Sequence, residues 1–354
     1  MKPKVIDLFC GAGGLSLGFD MAGFDVVLGV DFNENAIACH EHNFPDSNSV
    51  HIDITTVTPK SLLERYQINP KEIDVVIGGF PCQGFSLAGK RLMDDPRNLL
   101  YKECVKYVEY IKPKAFMFEN VKGILSMNKG KALEEILDSF RALGYEVQAK
   151  LLMATDYGVA QIRERVIIVG SRIGSISYPT PTHETPVTVG EILKGLPSLK
   201  SGEGGELIQM ESGEFVHNHK AVTLKPLNQS RIEALPEGGK YGDIPETLRR
   251  KIPYTSSYVR LHREKPSNTI TTHFRDSYFT HPTEDRILTV REAARIQSFP
   301  DDFVFVGPRA RNGQYGAVGN AVPPLLAKAV ASEILKVLEE NEAEALLSVE
   351  MVEK

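Results

Sequence analysis

One cysteine stands where a nucleophile could act. Cys82 follows the apolar run Ile73–Gly78, and open parallel sheets build their sites just past the carboxyl ends of such strands. Pro81 precedes it and Gly84 follows in the same loop, which favours reaction with a substrate over a position in the core. The remaining cysteines are expected to be small core residues, and they are Cys10, Cys39 and Cys104.

Two further segments carry side chains suited to proton transfer and charge stabilisation. Glu119 follows a second apolar strand, where partial desolvation favours the neutral, proton-donating form of a carboxyl group. Gln161, Arg163 and Arg165 alternate just before another apolar run, so they share one face if the stretch is extended. Taken singly, the acid could instead lie on the surface or cap a helix, and the arginines could form surface ion pairs.

A glycine-rich turn near the N-terminus predicts a nucleotide-like ligand. Phe9 ends an apolar strand, and Gly11 and Gly13 let the backbone turn sharply and approach a ligand beside a helix N-terminus. Asp31 lies eighteen positions after Gly13, close to the ~20-residue spacing at which a carboxylate reaches ribose hydroxyls. Asp53 ends the next apolar run and could meet an adenine edge. The turn alone does not exclude simple helix packing, nor does it separate one adenosine-containing cofactor from another.

The pattern of elements predicts an α/β fold with a mostly parallel sheet wrapped by helices. We expect strands at residues 4–9, 26–30, 73–78, 115–118, 146–152 and 166–169. We expect helices at residues 14–21, 34–43, 98–111 and 130–143. From about residue 178 prolines and glycines become frequent, which predicts an irregular region. Two helices, at 290–297 and 325–339, should follow.

Composition sets the broad class. A chain of 354 residues with 42% hydrophobic and 25% charged residues predicts one large and one smaller globular domain. Without a membrane-length apolar stretch or a secretory signal, we expect a cytoplasmic protein with no membrane role. The net charge of -5 is uneven: residues 332–354 carry seven acids and two bases, whereas residues 217–275 carry eleven bases and five acids. That basic segment favours a nucleic-acid partner.

Five motifs in order resemble those of the DNA cytosine-C5 methyltransferase family, and the resemblance covers nearly the whole chain. They are residues 7–14, 79–86, 119–121, 161–165 and 319–324. The resemblance implies a doubly wound, Rossmann-like, S-adenosylmethionine-dependent catalytic domain at 1–178 plus 315–354. It also implies a smaller, irregular target-recognition domain and hinge at 179–314, inserted before the C-terminal helix.

The resemblance also implies roles for individual residues. Cys82 would add to C6 of a flipped-out cytosine, Glu119 would act at ring N3, and Arg163 would hold the base with Arg165 in support. The methyl group would pass from S-adenosylmethionine to C5, leaving S-adenosylhomocysteine, with no metal involved. The loop at 84–100 would close on DNA. The implied cofactor contacts are Phe9, Gly11, Gly13, Asp31, Asp53, Pro81 and Asn320.

The expected partner is double-stranded DNA, with a possible cognate restriction endonuclease acting separately and the chain itself a monomer. Positively charged side chains of the recognition region would contact phosphates or base edges, and they are Lys220, Arg231, Lys240, Arg249, Arg250, Lys251, Arg260, Arg263 and Arg275. The arginines of residues 286–295 would instead brace the smaller domain. The His217-Asn218-His219 run has no further metal-ligand pattern beside it.

Other classes account for fewer of these motifs. A nicotinamide oxidoreductase explains the glycine turn but leaves Cys82 and the basic segment unused. A DNA-binding module without catalysis predicts damage at Cys82, Glu119 or Arg163, and all three are intact. A tRNA cytosine methyltransferase would have a shorter recognition region. An enzyme that methylates amino groups would have an Asn or Asp before Pro-Pro and an aromatic residue in place of the Cys82 loop.

Overall fold

The computed structural model describes residues 2–81, 100–249, 257–310 and 313–352. The chain forms two compact units. Unit 1 consists of Met1–Met153, Glu164–Thr180 and Leu326–Lys354, and unit 2 consists of Ala154–Arg163 and Pro181–Leu325. Unit 2 therefore includes Ala154–Arg163 and residues 315–325, which were expected to lie in the catalytic domain.

Unit 1 is built on a seven-stranded sheet in the order β3-β2-β1-β4-β5-β7-β6. The strands are β1 (Lys4–Leu8), β2 (Asp25–Asp31), β3 (Asn48–His51), β4 (Ile73–Gly78), β5 (Ala115–Val121), β6 (Glu146–Met153) and β7 (Glu164–Ser171). The first five pair in parallel, and β7 runs antiparallel between β5 and β6. The predicted α/β fold with a mostly parallel sheet is confirmed.

The helices of unit 1 connect these strands and pack on the sheet. They are α1 (Gly14–Met21), α2 (Glu34–Asn43), α3 (Pro59–Arg65), α4 (Tyr101–Ile111) and α5 (Lys131–Arg141). In α5, Leu133, Ile136, Leu137 and Phe140 are buried, the three- and four-residue spacing of a helix with one apolar face. The Phe140 ring lies 4.5 Å from that of Phe116 in β5, so this face completes the core.

Three differences from the predicted elements bear on the site. The sequence pattern missed the short elements β3 and α3. Strand β5 continues through Val121, three residues beyond its predicted end, because β7 pairs with it along its whole length. Helix α5 begins at Lys131 because Asn128 and Lys129 adopt left-handed backbone angles, with φ of 47° and 58°.

Unit 2 has little regular structure, as its prolines and glycines predict. Its strands are β8 (Gly204–Gln209), β9 (Phe215–Lys220), β10 (Val259–Arg260) and β11 (Phe279–Thr280). Its helices are α6 (Val189–Leu193), α7 (Pro226–Glu233), α8 (Val290–Ile296) and α9 (Gln314–Asn320). Helix α10 (Pro324–Val352) continues well past its predicted end at 339. Within the described part of the chain, no helix has the length and apolarity needed to span a membrane.

A buried ion cluster organises unit 2. Arg286 is 1% exposed and donates to both carboxylate oxygens of Glu292, at 2.8 and 2.6 Å. Glu292 also accepts from the Thr289 backbone N–H at 2.8 Å and so caps α8. Burial alone would raise the pKa of Glu292, but the Arg286 guanidinium outweighs it and holds that pKa at about 2. The expectation that arginines of residues 286–295 brace this region is confirmed.

The cluster predicts acid sensitivity. The pKa of Glu292 is about 2 in the folded chain against an ordinary 4.5, so its stabilising contribution is complete above about pH 4.5 and lost as the pH falls toward 2. At pH 7, Glu292→Gln should destabilise unit 2 by about 3–5 kcal/mol, because Arg286 stays buried without its counter-charge. As the pH is lowered from 4.5 to 2.5, the melting temperature of this variant should fall less steeply than that of the wild type.

The control is Glu340→Gln, which removes an exposed acid of α10 and should leave both the neutral-pH stability and the acid profile unchanged. Parallel acid profiles for the wild type and Glu292→Gln would contradict the assignment.

Candidate active site

The glycine turn after β1 has the backbone shape that a ligand-binding loop requires. Phe9, Gly11 and Gly13 have φ values of 65°, 56° and 101°, and glycine adopts such angles without strain. A Cβ at Gly13 would lie 2.5 Å from the ring of Phe44, so no larger residue fits there. Helix α1 begins at the next residue, which leaves its N-terminal amides beside the turn.

Asp31, at the end of β2, fixes this turn. One carboxylate oxygen accepts from the Gly11 backbone N–H at 2.9 Å, and the other accepts from the Asn33 N–H at 2.8 Å. Burial raises the pKa of Asp31, and the two N–H donors oppose that rise. Asp53 is exposed and caps a short turn by accepting from the Thr55 backbone N–H at 3.0 Å.

Sequence reasoning missed Phe32. Its side chain is 69% exposed although it directly follows the buried end of β2. A large aromatic side chain exposed to water beside the glycine turn and an acid is suited to stack on a flat ring. The available signal was an aromatic residue immediately after the acid that ends a strand, where a polar residue is commoner.

The residues at this end of the sheet fit an adenosine-containing ligand with a cationic group. The glycine turn leaves room for a close approach, Phe32 offers a ring face, and Asp31 is an acceptor for hydroxyl groups. The Oδ1 atom of Asp7 is buried and has no hydrogen-bond partner among the described residues. An orphaned buried acceptor is expected where a ligand completes the polar contacts.

The loop that contains Cys82 lies outside the described residues, as do Gly84, Gly89, Lys90, Arg91 and Arg97. The residues that lead into this loop, Gly79 to Pro81, are described. Asn120 donates from its side-chain amide to the Phe80 carbonyl at 3.3 Å, and the half-buried Pro81 follows. A Cβ at Gly79 would lie 3.3 Å from Glu119 Oε2. The loop therefore leaves the sheet directly against the Glu119 carboxylate.

Glu119 and Arg165 form a close ion pair. Arg165 Nε lies 2.6 Å from Glu119 Oε1, and the two side chains are 13% and 12% exposed. The antiparallel register pairs Glu119 with Ile167 and Val121 with Arg165, so Glu119 and Arg165 are diagonal neighbours on one face of the sheet. An acid and a guanidinium of low exposure therefore stand together at the entry of the Cys82 loop.

Arg163 makes different contacts, with backbone carbonyls of unit 2. Its side chain is 2% exposed, and its guanidinium donates to the Ile270, Ala321 and Gly319 carbonyls at 2.8, 3.0 and 3.2 Å. The last two carbonyls flank Asn320, which is exposed at the end of α9. The alternating arginines of the motif thus divide, with Arg163 holding the backbone around Asn320 and Arg165 reaching Glu119.

Gln161 supports the same arrangement in unit 2. Its side-chain amide donates to Gln297 Oε1 at 2.9 Å, and its carbonyl oxygen accepts from the Ile270 N–H at 2.7 Å. A Cβ at Gly319 would lie 2.4 Å from the Thr271 backbone, so the two segments touch through their main chains. Gln161 and Arg163 therefore connect the motif at 319–324 to the irregular segment that includes Ile270.

Several basic residues of the recognition region serve the fold of unit 2. Arg231 and Arg260 are buried and donate to the Leu248 and Ile232 carbonyls, each at 2.7 Å. Arg249 donates to the Ile244 and Gly242 carbonyls, each at 2.7 Å, and Arg263 forms a two-pronged ion pair with Glu237. Arg250 and Lys251 lie outside the described residues. Among the described residues, Arg231, Arg249, Arg260 and Arg263 thus make contacts within unit 2 itself.

Two other features of unit 2 bear on ligands. Arg275 is half-buried, and its guanidinium carbon lies 5.8 Å from the centre of the Tyr315 ring. His219 is buried between Thr289 Oγ1 and the Pro197 carbonyl, and burial lowers its pKa. Among the described residues, no group of His, Cys, Asp and Glu side chains could hold a metal ion.

Comparison with known proteins decides the family. The model of the family described as C-5 cytosine-specific DNA methylase matches residues 3–336. The chain belongs to this family. It is a DNA cytosine-5 methyltransferase of the type found in restriction–modification systems, and members of the family use S-adenosylmethionine as methyl donor.

The relatives of this methylase match along nearly their whole length. The type II methyltransferase M1.HphI of Haemophilus parahaemolyticus is 43% identical over 340 residues, covering 95% of the chain and 87% of the relative. M.NgoFVII of Neisseria gonorrhoeae is 35% identical and covers 100% and 92%. A DNA modification methyltransferase from an E. coli prophage has a similar structure, with a TM-score of 0.78, 28% identity and coverage of 96% and 100%.

The contacts of the two arginines predict different stability effects. Arg163→Ala should destabilise this methylase by about 3–5 kcal/mol, because it leaves buried carbonyls without donors and opens a cavity. Arg165→Ala removes one partner of a single ion pair of low exposure and should cost less, about 1–2 kcal/mol. Urea denaturation of both variants at pH 7.5 measures the difference. Equal losses would show that Arg163 is not the brace that its contacts indicate.

Proposed function

We propose that this methylase modifies one cytosine of a short duplex sequence, with Cys82 as nucleophile, Glu119 as the group at ring N3 and Arg165 as its partner at the base. The observation that carries the proposal is the 2.6 Å pair between Glu119 and Arg165, which stands against Gly79 at the start of the Cys82 loop. C5 chemistry on cytosine needs an acid, a cation and a nucleophile, and here the acid and the cation lie at the entry of the loop that contains the cysteine.

The chemistry begins with activation of the ring. C5 of cytosine is too weak a nucleophile to accept a methyl group until an electron pair is supplied to it. When the Cys82 thiolate bonds to C6, the C5–C6 π electrons move to C5 as Glu119 delivers a proton to, or shares one with, N3. The step needs a carboxyl group within reach of N3, and Glu119 has little exposure to water beside the entry of the Cys82 loop.

Arg165 suits a second contact with the same base. A guanidinium has five N–H donors in a fixed fork, and Glu119 occupies only part of that fork. The remaining donors can bind the carbonyl oxygen of the cytosine and stabilise the charge that develops on the ring. This assigns the base contact to Arg165, whereas the contacts of Arg163 support a role in positioning Asn320 and the segment after Ile270.

S-adenosylmethionine supplies an electrophilic methyl group, which C5 accepts, and S-adenosylhomocysteine is left. Loss of the C5 proton to a base then returns the electron pair to the ring and expels the Cys82 thiolate. The N3 proton returns to Glu119, so that no net change remains on the protein. Phe32 and Asp31 are the residues that would hold the adenosine part. Gly11 and Gly13 would let it approach the backbone, with Phe9, Asp53, Pro81 and Asn320 as further expected contacts.

The substrate of these steps cannot be a stacked base. Both faces of a cytosine ring are covered in a duplex, so the base must leave the helix before Cys82 can reach C6. Unit 2 would read the flanking sequence. The relatives named as type II methyltransferases support a protective role beside a separate endonuclease, and a monomer suffices for this chemistry. A tRNA substrate is the main alternative, and it is tested by the same assay.

Arg275 is the base reader that the contacts of unit 2 favour. Unlike Arg231, Arg249 and Arg260, it is not engaged with backbone carbonyls in the described chain, and it lies over the ring of Tyr315. Stacking on an aromatic ring orders a guanidinium while leaving its edge free to bond. An ordered arginine edge matches guanine O6 and N7 in the major groove. We therefore assign Arg275 to a guanine of the recognition sequence.

Methyl transfer tests the catalytic residues. With radiolabelled donor and mixed duplex DNA, the wild type should form 5-methylcytosine in one short context, and Cys82→Ala should form none. Glu119→Gln should lower the rate about 10²- to 10⁴-fold, because an amide cannot deliver a proton. Cys104→Ala is the matched control, a buried cysteine expected to keep activity. Methylated tRNA with unlabelled DNA would contradict the substrate, and an active Cys82→Ala would contradict the nucleophile.

Methylation of a randomised duplex library tests the reader. Arg275→Ala should relax the preference at one G·C position by about ten- to a hundredfold while leaving other positions unchanged. Arg263→Ala removes an exposed arginine that is paired to Glu237, and it should not change the preference. A uniform loss at all positions in Arg275→Ala would indicate a phosphate contact instead.

A further inference from the structure

A line of four hydrogen-bonded side chains runs beneath the glycine turn in unit 1. Ser16 Oγ lies 2.7 Å from Asp7 Oδ2 and 3.1 Å from His40 Nε2, and His40 Nδ1 lies 2.7 Å from Ser49 Oγ. Asp7, Ser16 and His40 are fully buried. The chemistry proposed above uses none of these groups, yet each buried polar side chain is costly unless it is paired.

The chain of bonds has one direction when Asp7 is ionised. Ser16 then donates its hydroxyl proton to Asp7, so its oxygen must accept from His40 Nε2–H. Burial lowers the pKa of His40 to about 4, so the ring is neutral near pH 7 and its other nitrogen accepts from the Ser49 hydroxyl. Each donor therefore points toward Asp7, and the line as a whole stabilises a carboxylate there.

The same groups fix the shape of the turn. A Cβ at Gly29 would lie 2.5 Å from the His40 ring, and one at Gly13 would lie 3.3 Å from it. The His40 ring also packs on Phe44, with 4.6 Å between ring centres. His40 thus fills the space between β2 and the glycine turn, and Asp7 at the other end of the line lies in β1, immediately before that turn.

Asp7 is incompletely satisfied. Its Oδ1 atom is buried with no partner among the described residues, although Ser16 serves Oδ2. The titratable groups that face it are the Asp31 carboxylate, the Cys10 thiol and His40, and none of them supplies a positive charge. Burial raises the pKa of Asp7 to about 7, the Ser16 hydrogen bond opposes this, and the charge of Asp31 adds to it. Burial also raises the pKa of Cys10, which keeps that thiol neutral.

We propose that Asp7 balances the positive charge of the methyl donor and gives up a proton when the donor binds, with Ser16 and His40 holding its carboxylate in place. The inference rests on the proposed function, in that S-adenosylmethionine binds at the glycine turn. It adds a residue and a proton to that binding. The proton passes to solvent, and no other bond forms or breaks.

The affinity for the donor depends on pH because binding of the donor is linked to the ionisation of Asp7. Without ligand, Asp7 holds its proton below about pH 7, and a nearby positive charge favours the ionised form. Binding the donor therefore releases about one proton at pH 6 and about none at pH 8, and affinity for the donor rises about tenfold between those values.

Titration calorimetry on the full chain measures the released protons directly. S-adenosylmethionine is titrated at pH 6 in two buffers whose ionisation enthalpies differ, and the change in observed heat between buffers gives the number of protons. The titration is repeated at pH 8. No turnover is involved, because DNA is absent.

Two variants distinguish protons released by Asp7 from protons released by other groups. Asp7→Asn should release about one proton fewer than the wild type at pH 6, and the comparison subtracts any titration of the ligand itself. Asp25→Asn is the matched control, an exposed acid at the start of β2, and it should behave as the wild type. Ser16→Ala removes the donor to Asp7 and should move proton release to higher pH, which supplies the test if Asp7→Asn does not fold.

The calorimetry distinguishes failure of the Asp7 inference from failure of the proposed function. Proton release at pH 6 that Asp7→Asn abolishes, or that Ser16→Ala moves to higher pH, supports the inference. Donor binding without proton release, or with release that neither variant changes, overturns it and leaves the proposed function standing. No binding of S-adenosylmethionine at either pH would overturn both, because the proposed function requires that cofactor.

Discussion

The antiparallel pairing of β5 with β7 determines which residues meet in the candidate site. It pairs Glu119 with Ile167 and Val121 with Arg165, which brings acid and guanidinium onto one face. The opposite face of the same two strands belongs to the main core of unit 1. A slip of one residue in either strand would turn its charged side chain toward that apolar core and desolvate an unpaired charge. The core therefore enforces the ion pair, although neither charged residue belongs to it.

In unit 2, buried arginine side chains stabilise the backbone. Irregular backbone leaves carbonyls that no helix or sheet satisfies, and an arginine can serve several of them at once. Arg291 is fully buried and donates to the His217, Pro300 and Phe303 carbonyls. Burial lowers its pKa to about 10, a cost that the three carbonyls offset. The positive charge of the recognition region therefore overstates how many of its side chains are available to DNA.

The sequence predicted the sheet and the residues at its edge, because parallel strands buried on both faces are nearly continuous apolar runs. Periodicity cannot reveal that the chain passes from unit 2 to unit 1 between Arg163 and Glu164. The alternation of residues predicted that Arg163 and Arg165 share one face. In the structure Arg163 instead contacts residues 270, 319 and 321, and Arg165 pairs with Glu119. The line from Asp7 to Ser49 was missed for the same reason, since burial and pairing depend on distant residues.

Asp7 and Asp31 show how two acids at neighbouring strand ends can differ in function. Two backbone N–H groups satisfy both oxygens of Asp31, so its carboxylate is anchored and available to hydroxyl groups. Asp7 has one satisfied oxygen and repels Asp31 when both are ionised. A cationic ligand relieves that repulsion, and a neutral one does not. Under the proposed role of Asp7, methyl transfer removes the positive charge that its carboxylate would balance. The acid would then hold the product less tightly than the donor, which would favour release after each turnover.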